Sequence, residues 1–138
     1  MDFSGINLGE LVVAALSTFV IGFLWYGKFL FSNQWRVLAG VKEEQMPTGR
    51  MIATFSLSFV LNFFVALFLS VFTEIAMMLG SNAIYAGILA VLICLGFVAT
   101  TFGVNYLFSQ KPFKLYLIDV GYMLVCFFVM GLIIGAWY

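Results

Sequence analysis

Four long apolar runs separated by three short polar gaps set the pattern of this chain. The runs cover residues 8–31, 51–79, 83–108 and 113–138. A hydrocarbon core about 30 Å thick needs about 20 helical residues at 1.5 Å each, so each run is long enough to cross it once. The second run is longer than one crossing requires and must tilt or project beyond the membrane. The gap at 32–50 is the longest. Its first part sets Trp35, Val37, Leu38 and Val41 against Asn33, Gln34, Arg36 and Lys42, which predicts a short helix lying in the interface. Gly40 should end that helix, and Pro47, Thr48 and Gly49 should turn the chain into the next span. The Lys42-Glu43-Glu44 cluster reads as a solvated loop. Gly80, Ser81 and Asn82 predict a tight turn, and Pro112 belongs to the last hairpin, where a first helical turn tolerates it. The expected fold is therefore all-α: one transmembrane domain, residues 1–138, with four helices in a bundle and a short cytoplasmic interfacial helix after the first span.

Charge adds an orientation to this picture. All six basic residues, Lys28, Arg36, Lys42, Arg50, Lys111 and Lys114, fall in or beside two of the gaps. Lys and Arg beside transmembrane ends are retained on the cytoplasmic side, which puts both termini outside and the basic loops inside, in a cell (inner) membrane. The first run is flanked by Asp2 and Glu10 rather than by a basic segment, so it is expected to stay in the mature protein. With 64% hydrophobic and 9% charged residues and a mean hydropathy of +1.15, the surface suits lipid rather than water. The net charge of zero leaves no electrostatic footprint for nucleic acid.

The side chains that carry chemistry are few. There is no histidine, and the two cysteines, Cys94 and Cys126, read as small apolar core residues. No cofactor or metal is expected, since the usual ligands are missing. No Ser-His-Asp constellation or phosphate-binding loop is present, and Glu10 and Glu74 belong to the outer interface while Asp119 belongs to the inner half, so a non-catalytic protein is predicted. Asp119 stands about 7 to 8 Å inside the fourth run, where a lipid-facing carboxyl group is costly, and it must face protein, water or a cation. Asn105 lies at a similar depth across the hairpin, Tyr122 follows on the same helical face, and Asn62 falls near mid-depth, so the four are candidates for one buried polar network. Two readings compete. In one, Asp119 binds a proton or cation in a small transporter or channel-like homo-oligomer. In the other, the protein is a structural or accessory subunit that binds lipid or protein, and Asp119 only pairs with Asn105 or with Lys28, Arg50 or Lys114 at the inner face.

Small residues predict close helix packing at Gly22, which continues a stripe from Ala14 and Thr18, and at the Gly131–Gly135 pair. That pair can serve contacts within the chain or between copies of it. The third run, with the smallest side chains, is expected to be the most enclosed. Beyond the lipid bilayer and a second copy of the chain, the sequence names no partner and no small-molecule ligand.

Two segments carry a family resemblance. FLWYGKFLFSNQWRVLAG, residues 23–40, and DVGYMLVCFFVMGLIIGAW, residues 119–137, resemble the domain of unknown function 1761 family of small bacterial four-helix membrane proteins. Trp25, Tyr26, Trp35, Gly121, Tyr122, Gly131 and Trp137 match its pattern. Lys28 stands where the family commonly has Pro, and Asp119 where it commonly has Asn. The resemblance implies a fold and a location, and no activity.

Overall fold

The computed structural model describes residues 3–41 and 46–138, so the Lys42-Glu43-Glu44 cluster lies outside the described residues. After a 3-10 turn at Phe3–Gly5, α1 covers Leu8–Trp25. The Asn7 side chain starts it by accepting the Gly9 N–H at 2.8 Å, as an N-cap should. The helix stops at Trp25, before the apolar run does. At Gly27 the turning backbone comes so close to the Phe23 carbonyl oxygen that a Cβ would stand 2.2 Å from it. The short helix α2, Ser32–Ala39, follows and ends at Gly40 with φ +68°, a left-handed C-cap that favours glycine.

The longest helix, α3, is unbroken over Thr48–Met78, about 46 Å at 1.5 Å per residue. A turn with Gly80 at φ +82° leads to Asn82, whose side chain accepts the Ile84 and Tyr85 N–H groups and caps α4, Ala83–Ile93. The third span continues through a π-helical segment, Cys94–Ala99, into α5, Thr100–Phe108. A π segment disturbs the regular carbonyl pairing, and here hydroxyls meet its carbonyls: Thr100 donates to Gly96, Thr101 to Phe97, and Tyr116 to Ala99 at 2.9 Å. Pro112 then caps α6, Phe113–Trp137.

The bundle is built around α6, which packs on α1, α3, α4 and α5 and also meets α2. The tightest seam joins it to α4. A Cβ at Gly131 would stand 2.7 Å from the Ala86 carbonyl oxygen and 2.8 Å from the Gly87 Cα, and one at Gly135 would stand 2.7 Å from the Ala86 Cβ. This is backbone-to-backbone packing of the kind small residues permit, and it occupies the Gly131–Gly135 pair within the chain. The third span, expected to be the most enclosed, is not. Gly96 faces open space, and Phe97 beside it is 72% exposed. Its small residues are spread around the helix, whereas α6 directs Gly131, Gly135, Cys126 and Met130 into the core.

Burial along α3 is lopsided. Its buried residues, Ala66, Leu69, Ser70 and Thr73, all lie in the second half, while Met51, Ile52, Phe55 and Leu57 in the first half are exposed. Among the described residues four helical segments are long and apolar enough to cross a membrane, and large apolar side chains coat their outer faces. The chain is a multi-pass membrane protein of four-span helical bundle form.

Candidate functional site

At the end of the bundle that carries the basic residues, Asp119 is buried, 8% exposed, and both of its oxygens are engaged by phenols. Tyr26, just past the end of α1, donates to Oδ1 at 2.7 Å, and Tyr106 of α5 donates to Oδ2 at 2.5 Å. Lys111 lies with its Nζ 4.7 Å from the centre of the Tyr106 ring, a cation–π contact one step removed from the acid.

The residues flanking Asp119 complete the knot. Trp25 donates its indole N–H to the Ile118 carbonyl at 3.0 Å and lays its ring on Gly121, where a Cβ would stand 2.9 Å from the ring. Tyr122 donates to the Thr18 carbonyl at 2.9 Å and meets Tyr26 edge-on at 5.1 Å. Gly22 leaves room for that phenol, with a Cβ there 3.4 Å from the Tyr122 hydroxyl. Trp35 of α2 closes over Tyr26 at 5.2 Å. Thus the Trp25-Tyr26 pair of one segment and the Asp119–Tyr122 stretch of the other meet face to face, and through them α1, α2, α5 and α6 are tied at one level.

This differs from the network expected at Asp119. Asn105 is exposed, because one residue along a helix is about 100° of rotation, and its neighbour Tyr106 takes the inward place. Tyr122 lies beside the acid but bonds to Thr18 instead. Lys28, Arg50 and Lys114 are exposed, and none forms an ion pair with Asp119. Trp25, Tyr26 and Tyr106 were not among the candidates. A tyrosine at the end of an apolar run serves equally well as an interfacial anchor or as a donor turned inward, so its sequence position alone does not separate the two.

Beside the knot lies a cavity of about 800 Å³ between α1, α3, α6 and the third span. Its polar groups come mainly from α3, where Thr54, Ser58 and Asn62 recur every fourth residue and so line one face. Thr54 makes a long contact to the Met46 sulfur, 3.7 Å. Ser58 and Asn62 have no side-chain hydrogen-bond partner among the described residues, and both are half-buried. The remaining wall is apolar and aromatic, including Phe19, Phe102, Tyr26 and Trp35, and among the described residues none of the lining side chains is charged. Phe23 on the rim is 69% exposed and Thr54 is exposed. These positions belong to α1 and α3, so the cavity is open on that side of the bundle. Asp119 is absent from the lining, although Tyr26 belongs to both places.

The opposite end holds a second buried acid. Glu10 is 1% exposed and accepts a hydrogen bond from the Ser70 hydroxyl at 2.7 Å. Glu74 lies one helical turn beyond Ser70, half-buried, with Gly5 packed against it. Among the described residues no three His, Cys, Asp or Glu side chains converge to hold a metal ion. Cys94 and Cys126 are both buried and free.

No curated protein and no solved structure matches the chain. The family described as "Protein of unknown function (DUF1761)" matches residues 10–135, a stretch that includes the knot, the cavity, the whole of the first segment that carried the resemblance and all but the last two residues of the second. On that match, which reaches into all four spans, the chain belongs to the DUF1761 family.

Proposed function

We propose that the protein is a non-catalytic membrane subunit that holds a lipid-soluble molecule in its lateral cavity, with Asp119 serving as a tie between helices. It sits in the cell membrane with both termini outside and the basic end cytoplasmic, following its charge bias. The observation that carries this reading is the enclosure of Asp119: each oxygen accepts a phenol O–H, and the carboxyl group does not line the cavity. An ion site needs free acceptors on a path, whereas an acid whose acceptors are already met by two phenols has the character of a joint.

A transport reading, as a small channel-like homo-oligomer, keeps one support. Tyr26 touches both the cavity and Asp119, which makes it a bridge by which a proton would reach the acid. The two readings separate in proteoliposomes loaded with a pH-sensitive dye. The tie predicts no proton or cation flux above empty liposomes, in the wild type or in Asp119→Asn. Flux that disappears in Asp119→Asn is the result that establishes the transport reading instead.

A further inference from the structure

The lateral cavity places hydrogen-bonding groups where no phospholipid headgroup sits. Asn62 is 14 residues into α3, about 21 Å along the helix from Thr48, and Ser58 is one turn nearer the basic end. That depth lies near the middle of a hydrocarbon core about 30 Å thick. A bare amide there is expensive unless something answers it, and among the described residues nothing does. The walls add two constraints. Among the described residues they carry no charge, so an ionised headgroup drawn to this depth would lose its hydration without a counter-ion. They also offer flat aromatic faces and a volume of about 800 Å³, within the ordinary range for a small-molecule pocket.

From this we infer that the cavity binds an uncharged amphiphile whose carbonyl or hydroxyl head is hydrogen-bonded by Asn62 and Ser58 and whose apolar tail leaves toward the lipid past the exposed Phe23 and Thr54. Quinones, prenols and acylglycerols share that chemistry, and anionic phospholipids lack it. The inference rests on the reading of the cavity as a lipid-soluble ligand site and specifies what that site selects. Trp35 in the wall supplies a reporter, since the chain has only three tryptophans and quinones quench indole fluorescence.

The test is a fluorescence titration of the full chain in detergent micelles with a one-isoprene benzoquinone, with diacylglycerol and phosphatidylglycerol as competitors. Saturable quenching is expected, abolished in Trp35→Phe and displaced by diacylglycerol, which shares the head chemistry, and quenching that diacylglycerol leaves unchanged counts against the inference. Phosphatidylglycerol should not displace it. Asn62→Leu should raise the apparent Kd at least tenfold with an unchanged unfolding midpoint, and Ser58→Ala should raise it less. Displacement by phosphatidylglycerol, or an Asn62→Leu protein that binds as well as wild type, overturns the inference while leaving a lipid site in place. Absence of saturable quenching together with no binding of either lipid in a direct vesicle-exchange assay overturns both the inference and the cavity reading.

Discussion

The two sides of α6 are built on opposite principles. Toward α4 it presents Gly131 and Gly135 to Ala83, Ala86 and Gly87, and the backbones touch with no side chain between them. Toward α1 and α3 it presents Tyr122, Met123, Cys126 and Phe127, which stand back from the first half of α3 and leave the cavity. Membrane helices gain little from apolar burial, because lipid is as apolar as the core, and rely on close van der Waals contact and hydrogen bonds. The seam uses the first of these and the knot around Asp119 uses the second. The first half of α3 has little of either, a ring contact of Phe55 with Phe19 of α1 at 6.0 Å aside, and that is where the molecule is open.

The largest expected effect comes from forcing the closed side apart. In Gly131→Leu the new side chain meets backbone atoms of α4 that have nowhere to go, and unfolding in SDS-containing mixed micelles should show a loss of about 3 kcal/mol. Next is Asp119→Ala, which strands the Tyr26 and Tyr106 phenols together, with an expected loss of about 2 kcal/mol in the same assay. Tyr122→Phe removes one hydrogen bond whose acceptor, the Thr18 carbonyl, lies within a helix, and about 1 kcal/mol is expected. The smallest effect belongs to the open side. Asn62→Leu should change stability by no more than about 0.5 kcal/mol, because its amide makes no side-chain hydrogen bond among the described residues. A ranking in which Asn62→Leu destabilised as strongly as Gly131→Leu would erase the distinction between the two sides.

The spans were legible in the sequence because their length and apolarity leave helices across a bilayer as the simple outcome, and the gap residues Gly40 and Asn82 appear at the turns where their chemistry places them. The centre of the bundle was less legible. Small residues are abundant in the third span and on α6 alike, and only their angular distribution decides which helix is enclosed. Asp119 was recognisable as a residue needing partners, since a carboxyl group at that depth is unstable alone. Its partners were not recognisable, for two physical reasons. Asn105 and Tyr106 differ by one position, which turns a side chain from the core to the surface. Tyr26 is separated from Asp119 by 93 residues, so the pairing depends on tertiary packing that no local pattern encodes. Glu10 was read as an interfacial residue, and the fold buries it instead, because Ser70 and Thr73 of α3 close over the same level.

The division between a tied core and an open flank rests on Asp119 acting as a joint, and a double-mutant cycle between Tyr26→Phe and Asp119→Asn measures that most directly. Unfolding free energies of wild type, the two single variants and the double variant give the coupling between the phenol and the carboxyl group without contributions from either residue's other contacts. The account predicts a favourable coupling of about 1 kcal/mol, the range of hydrogen bonds inside membrane bundles. Additive single-variant effects, with no coupling between Tyr26 and Asp119, would contradict it.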